Sequence, residues 1–195
     1  ELFYLPQEQT PDYHGERLSI YDIHCTDTSG RKFIVEMQKH WQWNFKERTL
    51  YYISLAISRQ AKKGKWNFHL LPVYCVSIAD FYLSTKEERK TIQNGDYLHP
   101  VELVNTKTKT IFYQKLKIAF VELPNFHKKP HELTDRLDKW IYIIKNMVKL
   151  TEVPAEFSEE TLLQLFKMAE YAKLTPKERI KYEGDLKRDW DHQSI

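Results

Sequence analysis

The segment from Tyr21 to Gln38 reads YDIHCTDTSGRKFIVEMQ and contains two short apolar stretches around a loop that ends in glycine. This pattern is typical of a β-hairpin, and it predicts strands over 17–26 and 31–38. The loop Thr28-Ser29-Gly30 has three residues, and such a loop places its last residue in the left-handed conformation. The loop length therefore also predicts the register of the two strands.

In that register Asp27 pairs with Arg31, and Asp22 lies directly opposite Glu36 near the far end of the hairpin. Gln38 follows on the same face as Glu36, because side chains alternate along a strand. Two carboxylates facing each other destabilise a strand pair unless one is protonated or a cation bridges them. Hard divalent cations such as Mg²⁺ take oxygen ligands of this kind. The pair therefore predicts a metal site on a sheet.

Two other interpretations of the same residues remain open. A two-residue loop would shift the register and place Asp22 and Glu36 on opposite faces of the hairpin. A half-solvated antiparallel face also carries acidic residues without any function. His24 and His40 share the parity of the two acids, which would suit a transition metal, but His40 lies near the strand end and His24 near the turn, so we do not include them.

Composition indicates one ordinary globular domain, or one domain with a helical extension. The chain has 195 residues, and no apolar run approaches the roughly 20 residues of a membrane helix. Two cysteines are too few for a disulfide framework, so we expect a reduced, cytoplasmic setting. The chain begins with Glu1 rather than Met, so we expect further residues upstream.

Downstream of the hairpin the periodicity predicts a helix, several strands and then helices, an α/β or α+β order. We divide the chain into a core, 1–125, and a C-terminal helical segment, 126–195. The expected elements are an extended arm over 1–16, a helix over 44–63 stopped by Gly64, a central strand over 70–83, strands over 97–105 and 110–121, an amphipathic helix with Leu133, Leu137, Trp140, Ile141, Ile144 and Val148 on one stripe, and helices from Ser158 to Lys173 and from Thr175.

Positive charge is concentrated between Asn105 and Pro130, where Glu122 is the only acid. Such a segment suits a phosphate backbone, although lysines also protect exposed strand edges. The six lysines are Lys107, Lys109, Lys115, Lys117, Lys128 and Lys129. The first four are the predicted DNA contacts.

The same residues resemble a known family. Asp22 followed by GRKFIVEMQ, then WQWNFKERTLYYISLAISRQAKKGKWNFHLLPVYCVSIADF, is similar to the PD-(D/E)XK nuclease superfamily, in particular its recombination-promoting nucleases and transposases. The closing LTPKERIKYEGDLKRDWD resembles the C-terminal helix of that branch. The resemblance implies a restriction-endonuclease-like α/β fold, a mixed sheet flanked by helices with a C-terminal helical extension. It also implies DNA cleavage that depends on Mg²⁺ or Mn²⁺.

Carried over residue by residue, the resemblance assigns Asp22 and Glu36 as metal ligands and Gln38 as the third catalytic position. The superfamily often has Lys where this chain has Gln38, and Gln carries no positive charge and is no useful base. Arg48 is expected to contact a phosphate or to hold Glu36, and Gln60 to line the site from the same helix.

The upstream segment of that branch can supply another acid, for which Glu8 and Glu16 are available. The predicted function is a DNA endonuclease associated with recombination or transposition, and breaks in both strands would favour a homodimer. The alternatives are a catalytically degenerate relative that binds nucleic acid or a protein partner, and an unrelated α/β domain with surface acids.

Overall fold

The central element of the fold is a six-stranded mixed β-sheet. The computed structural model describes residues 1–9, 19–91 and 95–147, together with residues 150, 157 and 160. The strands are β1 (Leu2–Tyr4), β2 (Glu8–Gln9), β3 (Ser19–Ile20), β4 (Ile23–Asp27), β5 (Lys32–Gln38), β6 (Val73–Ala79), β7 (Leu98–Val101) and β8 (Leu116–Glu122). The helices are α1 (Phe45–Ser58), α2 (Glu88–Thr91) and α3 (Arg136–Asn146), and two short 3-10 helices span Leu123–Asn125 and Pro130–Glu132.

The order of strands in the large sheet is β1-β4-β5-β6-β8-β7, while β2 and β3 form a separate pair. Strands β5, β6 and β8 run parallel, and the outer pairs are antiparallel. This mixed sheet confirms the predicted restriction-endonuclease-like α/β fold. Because β5, β6 and β8 are parallel, their carboxyl ends meet at one edge of the sheet.

The hairpin of β4 and β5 has the predicted register. The backbone N–H of Asp27 donates to the carbonyl of Arg31 at 3.1 Å, and Ile23 pairs with Val35 farther along the ladder. Gly30 has a φ of 81°, which is the left-handed conformation expected at the end of the loop. The register therefore carries Asp22 towards Glu36, as the loop length predicts.

Helix α1 packs on the sheet and forms the core with it. The hydroxyl of Tyr21 donates to the carbonyl of Tyr52 at 3.1 Å, which ties the start of the hairpin to the helix. The core consists of buried apolar side chains from β5, β6, β8, α1 and the turns between them: Tyr21, Ile34, Phe45, Ile53, Ala56, Val73, Cys75, Ala79, Phe81, Leu116, Ile118 and Phe120.

Helix α1 ends at Ser58, five residues before the predicted end, so the prediction that Gly64 stops it is wrong. The N–H groups of Gln60 and Ala61 donate to carbonyls three residues back, at 3.1 and 3.0 Å, so the last turn tightens and the helix closes. Gly64, with a φ of 85°, lies in the loop that follows.

Other differences arise from pairing between distant segments. The predicted extended arm contributes β1, which pairs with β4 in the register Leu2 to Asp27. The predicted strand over 17–26 is broken by a bend at Asp22 into β3 and β4. Strand β8 begins at Leu116 rather than at residue 110, because the chain before it forms a turn closed by a bridge between Val104 and Ile111.

The chain divides into two compact units, Glu1–His127 and Lys128–Ile195. In the second unit Asp135 caps α3 by accepting from the N–H of Asp138 at 2.7 Å. Its predicted apolar stripe is partly wrong, since Leu137 is exposed and Ile143 is buried. Val148 lies outside the described residues. The predicted helices over 158–173 and from Thr175 also lie outside them, except for Glu160.

None of the helices in the described ranges has the length and apolar content needed to cross a membrane.

Replacing Gly30 with Ala tests the turn that sets the register. A Cβ at Gly30 would lie 2.8 Å from Cδ1 of Leu71, in a left-handed conformation that costs an L-residue roughly 1–2 kcal/mol. We expect Gly30→Ala to lower the Tm by roughly 2–8 °C, measured by circular dichroism. Gly95→Ala is the control. Gly95 also has a positive φ, 98°, but a Cβ added there would have no other described residue within 4 Å beyond its chain neighbours. A Gly30→Ala loss no larger than that of the control would contradict the contact with Leu71.

Candidate metal centre

Asp22 lies at the bend just before β4, and its carboxylate reaches across to β5. Its Oδ2 accepts a hydrogen bond from the backbone N–H of Met37 at 2.6 Å. The side-chain amide of Gln7 donates to the backbone carbonyl of Asp22, which fixes the bend from the other side. The side chain is therefore held beside the segment that carries Glu36 and Gln38, while the residue itself remains exposed to solvent.

Glu36 lies in β5 with only 3% of its surface exposed, and its Oε1 has no hydrogen-bond partner among the residues that the structure describes. Burial and the nearby charge of Asp22 raise the pKa of Glu36 to about 8. The Arg48 guanidinium and a hydrogen bond from the Asp22 backbone lower this pKa, but they do not outweigh the other two causes. A buried carboxyl with an unpartnered oxygen is costly, so Glu36 has a position that a cation would stabilise.

Arg48 projects from α1 and joins three elements at this site. Its Nη2 donates to Oε1 of Gln38 at 3.0 Å and lies 3.9 Å from Oε2 of Glu36. Its Nη1 donates to Oε1 of Gln42 at 2.7 Å, and the guanidinium stacks over the Phe45 ring at 5.2 Å from the centroid. Of the two predicted roles of Arg48, the geometry supports the one that holds the β5 side chains in place.

Glu122 shows what a fully satisfied carboxylate looks like in this sheet. It is also buried, at the carboxyl end of β8, but its Oε1 accepts from the backbone N–H groups of Leu83 and Ser84, both at 2.7 Å. Its Oε2 accepts from the hydroxyl of Ser84 at 3.1 Å and from the amide of Asn125 at 2.6 Å. Glu122 thus anchors two loops and needs no cation, in contrast to Glu36.

A divalent metal fits the chemistry of Asp22 and Glu36, because both are oxygen ligands and one has an unpartnered buried oxygen. Within the described part of the chain, no three His, Cys, Asp or Glu side chains form a metal cage. Mg²⁺ is usually bound by one or two protein carboxylates, and water and phosphate oxygens take its remaining coordination positions.

Gln60 does not line this site, contrary to the prediction. Its side chain accepts from the N–H of Leu71 at 2.7 Å and donates to the carbonyl of the same residue at 3.3 Å. Leu71 leads into β6, so Gln60 lies near the amino ends of the parallel strands. Glu36 lies near their carboxyl ends, opposite Ser77 of β6. The prediction was wrong because Gln60 lies twelve residues beyond Arg48, and twelve residues of helix span roughly 18 Å.

The four predicted DNA-contact lysines do not form one surface group. The ammonium of Lys115 donates to a backbone carbonyl just before β6 at 3.0 Å, and Lys117 forms an ion pair with Glu102. Lys107 and Lys109 are exposed in the turn before β8. Of the four lysines, only Lys107 and Lys109 therefore have exposed ammonium groups of the kind predicted to contact DNA.

Of the two candidate upstream acids, Glu8 lies in β2 and Glu16 is outside the described residues. Gln42 was not predicted to belong to the site. It lies in the loop after β5 and accepts a hydrogen bond from Arg48. No periodicity or motif indicates Gln42, since its role depends on how that loop folds back over α1.

The geometry agrees with a comparison of the whole chain. A family model described as PD-(D/E)XK nuclease family transposase matches residues 1–195. The chain belongs to this family. Searches of curated proteins and of solved structures gave no match. Membership supports a nuclease- or transposase-related role for this chain, and it confirms the resemblance that Asp22, GRKFIVEMQ and the following helix indicate.

Replacing Glu36 with Gln tests whether the site is strained without a cation. The folded-state pKa of Glu36 is about 8, and its ordinary value is 4.5. Between these values the folded protein keeps a proton that the unfolded chain loses, so the unsubstituted protein (the parent) loses stability as the pH rises. Without metal, we expect Glu36→Gln to match the parent near pH 4.5 and to exceed its stability by on the order of 2 kcal/mol at pH 9. This difference corresponds to a Tm higher by roughly 4–8 °C.

Mg²⁺ or Mn²⁺ should raise the Tm of the parent and leave Glu36→Gln unchanged. Glu122→Gln is the matched control, since it removes a buried carboxylate whose oxygens are hydrogen-bonded. We expect that variant to be less stable than the parent at pH 7 and above. Identical pH profiles for Glu36→Gln and the parent, with no metal effect on either, would contradict the strained site.

Proposed function

We propose that this transposase-family nuclease hydrolyses DNA phosphodiester bonds with Mg²⁺ or Mn²⁺ held by Asp22 and Glu36. The observation that carries the proposal is the buried Glu36 carboxyl, whose Oε1 lacks a partner while the Asp22 carboxylate lies beside it. A surface acid would find water, and a structural acid would find donors as Glu122 does. The family and this unsatisfied oxygen support the same chemistry.

A divalent metal at such a site activates water and stabilises charge on the phosphate. To bind this metal, the protein must hold the Asp22 and Glu36 carboxylates in position and in the deprotonated form. Asp22 is held in place by the N–H of Met37, so its carboxylate needs no rearrangement. Glu36 must lose its proton before both oxygens can act as ligands, so binding of the metal releases a proton near neutral pH.

Gln38 acts in this proposal as a hydrogen-bond donor. Its Oε1 is occupied by Arg48, which leaves the NH₂ group to face a phosphate oxygen or the attacking water. Arg48 supplies the positive charge near the phosphate that Lys would supply at position 38 in the superfamily. In this arrangement Arg48 is a positioning residue for Gln38 and Glu36, and it adds charge without itself abstracting a proton.

Lys107 and Lys109 are the proposed contacts to the DNA backbone, since they are exposed and lie in a turn at the sheet edge. Cys25 and Cys75 are free and buried, which fits a cytoplasmic protein. Cleavage of both DNA strands often calls for two such centres, for which a homodimer is the simplest arrangement.

Asp22→Asn and Glu36→Gln test the function directly. Each removes one carboxylate ligand, so we expect plasmid nicking in Mg²⁺ or Mn²⁺ to fall by a factor on the order of 100 or more. The assay follows conversion of supercoiled plasmid to the nicked and linear forms by gel electrophoresis. EDTA should abolish cleavage by the parent.

Glu87→Gln is the control, because Glu87 is an exposed acid outside the site. It should cleave at the parent rate. Since Glu36→Gln is expected to be at least as stable as the parent near neutral pH, its loss of cleavage would not reflect unfolding. Cleavage at parent rates by both site variants would remove Asp22 and Glu36 from the mechanism.

A second candidate function is DNA binding without cleavage. The observation that favours it is the Arg48–Gln38 hydrogen bond, which occupies a position where the superfamily often has Lys. This candidate predicts retention of DNA binding with no cleavage in Mg²⁺, Mn²⁺ or any mixture of them. Metal-dependent nicking that Glu36→Gln abolishes would exclude it.

A further inference from the structure

A loop at the amino-end edge of the parallel strands is closed at its neck by Gln60. We call residues 60–71 the neck-closed loop. Gln60 forms two hydrogen bonds with the backbone of Leu71, as an adjacent strand would, and Lys115 donates to the carbonyl of Leu70 at 3.0 Å. Loops of this length whose ends are held together are frequently functional.

The charge of this loop is entirely positive. Lys62, Lys63 and Lys65 are all exposed, and residues 60–71 contain no acidic residue. Lysines that only solvate a surface are usually interspersed with acids, as Lys86 and Lys90 are with Glu87 and Glu88. The composition therefore indicates an anionic partner.

The loop also presents two aromatic rings outside the core. The rings of Trp66 and Phe68 lie 4.7 Å apart, and Phe68 is 77% exposed. Phe68 has a φ of 57°, which is an outlier for a bulky residue. Asn67 stabilises the turn between them by accepting from the N–H of His69 at 3.2 Å. Such strained exposed residues are found mainly at functional sites.

Lysines and one of these rings line an open depression of the surface. Its volume is about 560 Å³, and its lining consists of Lys62, Lys65, Trp66 and Asn67. Ammonium groups suit phosphates, an indole face suits a base, and a side-chain amide can bond a base edge. Proteins that bind single-stranded nucleic acid combine a basic groove with stacking aromatics in this way.

We propose that the neck-closed loop binds a single-stranded DNA segment, with its phosphates on Lys62 and Lys65 and a base stacked on Trp66. The inference rests on the proposed function for its choice of DNA. The loop is separate from the carboxylate pair, because the N–H of Lys32 at the start of β5 bonds to Pro72 at 2.9 Å, whereas Glu36 and Gln38 lie near the end of that strand.

The test measures fluorescence anisotropy of a labelled thymine oligonucleotide of about 12 nucleotides, in EDTA so that cleavage cannot occur. We expect Trp66→Ala to weaken binding roughly tenfold and Trp66→Phe to retain most of it, since Phe preserves a stacking face. Lys62→Gln with Lys65→Gln should reduce the slope of log K against log salt concentration by about 1.4, roughly 0.7 for each phosphate that the protein no longer neutralises. Binding to a duplex of the same length should change less than twofold with Trp66→Ala.

Two matched controls separate the loop from general effects. Lys86→Gln with Lys90→Gln makes the same charge change at exposed positions elsewhere, and Tyr4→Ala removes an aromatic ring that is 83% exposed. Both should leave the affinity and the salt slope as in the parent. If they weaken binding as much as the loop variants, or if Trp66→Ala binds the oligonucleotide like the parent, the proposal is overturned.

Gln60→Ala tests the neck while both lysines and the indole of the loop stay in place. We expect weaker binding, with the salt slope as in the parent because both lysines remain. Glu87→Gln, which changes an exposed acid outside both sites, should bind the oligonucleotide like the parent in EDTA. Loss of cleavage in Glu36→Gln together with unchanged binding in the loop variants would overturn this inference alone. Binding that depends on the loop, without metal-dependent cleavage, would overturn only the proposed nuclease activity.

Discussion

The burial of the Glu36 carboxyl near the charge of the Asp22 carboxylate is the constraint on which the candidate site depends. Folding buries Glu36 in the middle of the sheet, and the hairpin register brings a second acid to the same place. The protein offsets only part of the cost through Arg48, since Oε1 of Glu36 remains without a partner. A site that is incompletely satisfied in the folded protein is prepared for a ligand that completes it.

The hairpin and its register could be predicted from sequence because both are local. A three-residue loop ending in Gly30 and a period of two are sufficient to place Asp22 near Glu36. The mixed sheet could be predicted only through the family resemblance, because apolar runs do not reveal which strands pair. Strand β1 illustrates this limit, since its residues are exposed and only its backbone hydrogen bonds to β4 make it a strand.

The surroundings of the acids could not be predicted in the same way. Arg48 contacts Gln38 and Gln42, so its role depends on the angle at which α1 packs on the sheet and on the loop before it. Gln60 lies twelve residues beyond Arg48 along α1 and the turn after it, which places it at the opposite edge of the sheet from the site. The run KKGKWNF is visible as a basic and aromatic stretch, but the left-handed backbone of Phe68 follows from no sequence pattern.

The positions of the two acids and of the basic loop are physically linked. If Lys62 and Lys65 lay beside Asp22, they would pair with its carboxylate and compete with a metal ion for it. Along β6, Val73 lies just after the loop, and Ser77 pairs with Glu36. The four residues of strand from Val73 to Ser77 correspond to roughly 13 Å. This exceeds the screening length of about 8 Å at physiological salt, so each group can keep its own charge. A sheet whose parallel strands separate the two groups can therefore attract a DNA strand at one edge without neutralising the acids near the other.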